Sequence, residues 1–78
     1  MLEEIRDYIL ETYNIEFELK DNALTYTSAN ITYQFKQYSE NEIEVITIDS
    51  KSVVSGIETY KGNETIDMIL KDNWKLVK

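Results

Sequence analysis

Carboxylates offer most of the chemistry in this sequence. Glu16 and Glu18 stand two residues apart, as do Glu42 and Glu44. On a strand that spacing puts both side chains on one face, about 7 Å apart. Such a separation suits the acid and base of glycoside hydrolysis. That catalysis also needs a walled cleft to hold and distort a sugar, which 78 residues can scarcely build. The sequence contains no histidine and no cysteine. This excludes imidazole acid–base chemistry, thiolate nucleophiles, disulfides and Cys/His zinc sites. Gly56 and Gly62 do not form a phosphate loop. Ser52 and Ser55 lie in no nucleophile elbow. No Asp-x-Asp-x-Asp-Gly loop is present to hold calcium. The expectation is a non-enzymatic binding protein with no cofactor and no metal.

The most patterned feature is an acid column. Glu3, Asp7 and Glu11 repeat every four residues, with Glu4 alongside. Like charges at that spacing cost an isolated helix a few tenths of a kcal/mol each, about 0.2–0.5. A helix N-terminus welcomes Glu3 and Glu4, but Glu11 lies near the opposite end, where negative charge is disfavoured. The sheet acids Glu16, Glu18, Glu42 and Glu44 give a second negative set, or simply a solvated face that blunts edge strands. Tyr8, Tyr38 and Tyr60 do not fall cleanly on core faces. Exposed tyrosine beside acid is common at protein-binding surfaces.

Composition bounds the rest. The net charge is −7, with 42% hydrophobic and 12% aromatic residues. That is globular rather than disordered composition. Residues 1–21 carry seven acids against Arg6 and Lys20, and residues 40–50 carry four acids and no base. Residues 51–62 carry Lys51 and Lys61 against Glu58 alone. Such charge repels nucleic acid and anionic membranes and favours basic partners; it also keeps a small protein soluble. No basic n-region precedes an apolar run and no stretch reaches membrane-spanning length, so a cytoplasmic location is expected. No proline, repeat or linker divides residues 1–78, and one domain is expected.

The elements that must position these groups are legible from periodicity. Leu2, Ile5, Ile9 and Tyr13 share one helical sector over residues 2–13, with Leu10 at its edge and Asn14 as C-terminal cap. The period then changes to two. Residues 15–20 alternate, with Ile15, Phe17 and Leu19 inward. Asp21-Asn22 is a turn, and residues 23–28 form a second strand with Leu24 and Tyr26 inward. Ala29-Asn30 turns again, and residues 31–38 form a third with Ile31, Tyr33 and Phe35 inward. Residues 42–49 form a fourth. There Ile43 and Val45 share one face while Ile46 and Ile48 share the other, suggesting a β-bulge or a strand end covered on both faces. Residues 50–62 fit either a fifth, irregular strand or a covering loop. A second helix is expected from 64 to about 74, capped by Asn63, with Ile66, Ile69, Leu70, Trp74 and Val77 in its stripe and Lys71 and Lys75 near its end. The fold class is α+β, in the order α-β-β-β-β-α: an antiparallel meander with both helices on one face. Its other face would show Glu16, Glu18, Thr25, Thr27, Thr32, Gln34, Lys36, Glu42 and Glu44.

Small size, no cysteine, strong acidity, many Asn, Ile, Lys and Tyr residues and this α+β build resemble small acidic phage and mobile-element anti-defence proteins, among them anti-CRISPR proteins that mimic DNA. The likeness covers the whole chain as composition and architecture. The stretch from Gly62 to Trp74 is similar to capped helices common in that group. The resemblance implies an inhibitor whose acidic surface fills the nucleic-acid channel of a basic protein, such as a CRISPR effector nuclease, in a host cytoplasm, without binding nucleic acid itself. The charge map nominates Glu3, Asp7, Glu11, Glu16, Glu18, Glu42 and Glu44, with Tyr8 and Tyr38 beside them. The alternative is a protein-interaction module or homodimeric subunit that uses tyrosine and apolar surface.

Overall fold

Apolar residues repeating at helical spacing, then at every second position, then at helical spacing again, produce two helices flanking a sheet. A computed structural model describes residues 1–72. The order is α1 (Leu2–Tyr13), β1 (Glu18–Lys20), β2 (Ala23–Ser28), β3 (Ile31–Ser39), β4 (Glu42–Ile48), β5 (Val53–Thr59) and α2 (Asn63–Asp72). The strands form one antiparallel sheet in sequence order. Residues 50–62 thus supply a fifth strand to the expected meander.

Short turns set the order. Asp21 and Asn22 both take positive φ, 52° and 61°, as a two-residue turn between right-twisted strands requires. Ala29 takes φ 52° in the next turn. At the end of α1, Asn14 adopts φ 57° and its N–H bonds the Leu10 carbonyl at 3.0 Å. This is the expected left-handed cap. The first strand is shorter than its alternation suggested: only residues 18–20 pair with β2, although Phe17 is buried and Ile15 and Leu19 pack on the core. Of the two readings of the fourth strand, the bulge is not found in β4; a register shift lies in β3, where Tyr38 is extra between Gln37 and Ser39. Strand β4 runs without a register shift against β5. Its two apolar pairs therefore face opposite sides of the sheet.

The core lies between one sheet face and the helices. Ile5, Ile9, Phe17, Leu24, Phe35, Ile43, Ile66, Ile69 and Leu70 are fully buried there. Phe17 stacks on Phe35, with ring centroids 5.6 Å apart, and tilts against Tyr26 at 5.4 Å. Helix α1 touches β1, β2 and β3, whereas α2 borders β4 and β5. Asn63 is the first helical residue of α2 rather than a residue before it. The side chain that ties this end down is buried Thr65, whose hydroxyl accepts the Lys61 N–H at 2.8 Å and donates to the Thr59 carbonyl at 3.2 Å. Trp74, Lys75 and Val77 lie outside the described residues.

The opposite sheet face is open. Cross-strand pairing puts Glu18, Thr25, Gln34, Ile46 and Ser55 in one row on it. Thr27, Thr32, Ile48 and Val53 form another, and Lys36, Glu44 and Ile57 a third. Toward β1 this face is polar, as expected. Toward β5 Val53 and Ile57 of the fifth strand join Ile46 and Ile48 on it. Among the described residues no helix is long and apolar enough to cross a membrane.

Candidate interaction surface

Helix α1 presents its acids because its apolar stripe is pinned. Leu2, Ile5 and Ile9 are buried, which turns Glu3, Asp7 and Glu11 outward and leaves them exposed. A second device fixes the rotation of the helix. The Tyr8 and Tyr13 hydroxyls both donate to Asp67 Oδ1 on α2, at 2.6 and 2.5 Å. Their rings meet edge to face, 6.2 Å apart. The Tyr13 bond, then the Tyr8 bond, holds the Asp67 carboxyl below its ordinary range. Accepting from a phenol stabilises the charged carboxylate. The same bond, followed by burial, pushes the Tyr13 hydroxyl up to about 12. Tyr8 is thereby spent inside the molecule: it lies half-buried against the core, and its hydroxyl holds α1 to α2. Neither tyrosine's role was legible locally, because Asp67 is 54 residues from Tyr13.

The acid column does not end with the helix. An open groove between α1 and β1 is lined by Arg6, Asp7, Leu10, Glu16, Glu18 and Leu19 over the buried ring of Phe17. Glu16, in the connection before β1, and Glu18, on β1, are exposed. Asp7, Glu16 and Glu18 therefore share one groove, with Glu3 and Glu11 one helical turn to either side of Asp7 on α1. Within α1 the only cation, Arg6, lies 3.2 Å from Asp7 Oδ1. Tyr38, displaced by the bulge, is 60% exposed and shares a shallow depression with Leu2 and Asn22. It stands at the N-terminal end of the column.

Glu42 and Glu44 are not part of this band. They lie on β4, on the sheet face away from the helices, three strands from β1. At about 4.8 Å per strand that is roughly 14 Å. Glu44 is directly opposite Lys36, and Glu42 accepts a 2.9 Å hydrogen bond from the Ser39 hydroxyl. Glu16 lies outside the paired strand, so Glu16 and Glu18 do not form the ladder pair that their spacing suggested. Among the described residues, no three Asp or Glu side chains converge as metal ligands would. The surface can attract and orient cations over a broad strip, and it offers no enclosed volume for a small substrate.

No protein-family model, curated protein or solved structure matches the chain.

Proposed function

We propose that this chain is a non-enzymatic binding protein whose α1–β1 acid band engages a basic, nucleic-acid-binding surface of another protein. The band would occupy the site in place of phosphate, as a DNA-mimicking inhibitor does. The observation that carries this reading is the groove that Asp7 shares with Glu16 and Glu18, with Glu3 and Glu11 one turn to either side, on a helix whose rotation is fixed by the Tyr8 and Tyr13 bonds to Asp67. Rigid spacing matters because a preorganised charge array loses little freedom on docking. The column carries an energetic cost to the free helix, and a basic partner would offset it. Glu42 and Glu44 lie three strands from Glu18 and fall outside this contact.

The mechanism is competitive and electrostatic. Carboxylates replace phosphates against lysine and arginine, so affinity falls steeply as salt screens the contact; the Debye length is about 8 Å at 0.15 M. Tyr38, at one end of the column, would add apolar area and a hydroxyl to the rim.

The test is capture of partners from a bacterial lysate on the tagged chain at low and high salt, with excess duplex DNA in one arm. A nuclease or other DNA-binding enzyme retained at low salt, released by duplex and lost when Glu3, Asp7 and Glu11 are changed to lysine is the expected result. A partner held equally at high salt, indifferent to duplex and to those changes, overturns the reading.

A further inference from the structure

The two edges of the sheet differ. At one edge β1 pairs over only three residues, Glu18, Leu19 and Lys20, and Asp21 follows it. Short length and charge are the usual means of blunting an edge. At the other, β5 runs seven residues, VVSGIET, and its only charge is Glu58. No described strand lies beyond it. Val53 and Val54 are 66% and 63% exposed, and Ile57 46%.

The backbone of this edge is aimed outward in a defined pattern. Tyr60 N–H bonds the Asn41 carbonyl at 2.7 Å, and Asp49 N–H bonds the Ser52 carbonyl at 3.0 Å. Both contacts belong to the register that pairs Ile43 with Glu58 and Thr47 with Val54. Antiparallel ladders alternate bonded and non-bonded pairs, so the even-numbered residues of β5 turn their backbone groups toward β4. Val53, Ser55, Ile57 and Thr59 turn theirs away from the sheet.

We infer that this edge pairs with the β5 edge of a second copy, antiparallel about a two-fold axis at Ser55, to make a continuous ten-stranded sheet. This rests on β5 and is independent of the acid band. Of the registers open to a two-fold pair, this one sets Val53 opposite Ile57 of the partner copy, twice, on the open face. There they extend the apolar row of Ile46 and Ile48. The same register places Val54 opposite Gly56 of the other copy, where a missing side chain leaves open space. Shifting the axis to Gly56 would set Val54 against Glu58. Shifting it to Val54 would carry Ile57 past the start of the partner strand at Val53, to the turn closed by Asp49 and Ser52. The junction also lies in a stretch, residues 51–62, where bases outnumber acids, so two chains of charge −7 meet away from their acid-rich segments. An edge contact of this length buries less than about 1,200 Å² in total, which places it among weak, reversible interfaces.

The test is sedimentation equilibrium of the intact chain from micromolar to near-millimolar concentration, together with Ser55→Cys and Thr59→Cys variants. The chain has no native cysteine, so either thiol reports on its own. A dimer that strengthens with added salt is expected, because salt screens the mutual repulsion of two acidic chains. Ser55→Cys should oxidise to a disulfide-linked dimer at least about tenfold faster than Thr59→Cys, since only residue 55 meets itself across the axis, at about 5.5 Å between Cα atoms. Val53→Lys should abolish the dimer while leaving the circular dichroism spectrum unchanged. A chain that stays monomeric throughout, or equal crosslinking at the two positions, overturns the inference.

Discussion

The Tyr13 hydroxyl donates to Asp67 Oδ1 at 2.5 Å, tying the last residue of α1 to the middle of α2. The bond joins the two ends of the chain across the top of the core. It also sets which way the outer face of α1 points, and so where the acid column stands.

Removing this bond should be measurable. Tyr13→Phe is expected to cost about 1 kcal/mol in urea unfolding: a hydrogen bond to a charged group contributes more than that when dry, and solvent at this half-open site reduces it. The pH dependence follows from the two shifts. Asp67 is held below its ordinary range, first by Tyr13 and then by Tyr8. Its contribution is therefore full above the ordinary carboxylate value of about 3.9 and is lost as the pH falls below that. Tyr13 is raised to about 12, so its contribution is full below pH 10 and is lost as the pH climbs toward 12. Asp67→Asn should flatten the acid limb of the stability curve. An unchanged acid limb in that variant would show that the pairing has no stabilising role.

Glu11 separates stability from binding. It lies in the last third of α1, where the final turn carries no base, and it repeats the charge of Asp7 one turn earlier. Glu11→Lys should raise the stability of the free chain by about 0.5 kcal/mol through the dipole and an Asp7–Lys pair in the favoured orientation. The same change should weaken capture of a basic partner. A variant that binds as well as the parent would place Glu11 outside the contact.

Ala29 sits at φ 52° in the β2–β3 turn, a conformation that costs a residue with a Cβ about 1 kcal/mol. Ala29→Gly removes that penalty but frees the unfolded chain. A net gain of about 0.5 kcal/mol is expected in thermal or urea unfolding. A loss would mean that the added freedom of the unfolded chain outweighs the relieved strain.

The sequence by itself determined the element types and the composition of the core. Alternation at Leu24/Tyr26 and Tyr33/Phe35, and helical spacing at Leu2/Ile5/Ile9 and Ile66/Ile69/Leu70, are local patterns, and burial followed them. The caps and turns at Asn14 and Asp21-Asn22 were equally local, because backbone conformation there depends on one or two residues. Only the tertiary structure decided the rest. Nothing local marks Asp67, and its tyrosine partners were fixed by helix packing across more than fifty residues of chain. The four sheet acids read as one set, yet Glu16 and Glu18 stand beside α1 while Glu42 and Glu44 lie three strands away across the sheet, because strand order and helix placement are non-local. The register shift at Tyr38 lies in β3, where the apolar pattern had placed none. Residues 53–59 read as strand or loop because their side chains bury little. Pairing with β4 gave them backbone hydrogen bonds, and that long-range term is one that side-chain periodicity does not record.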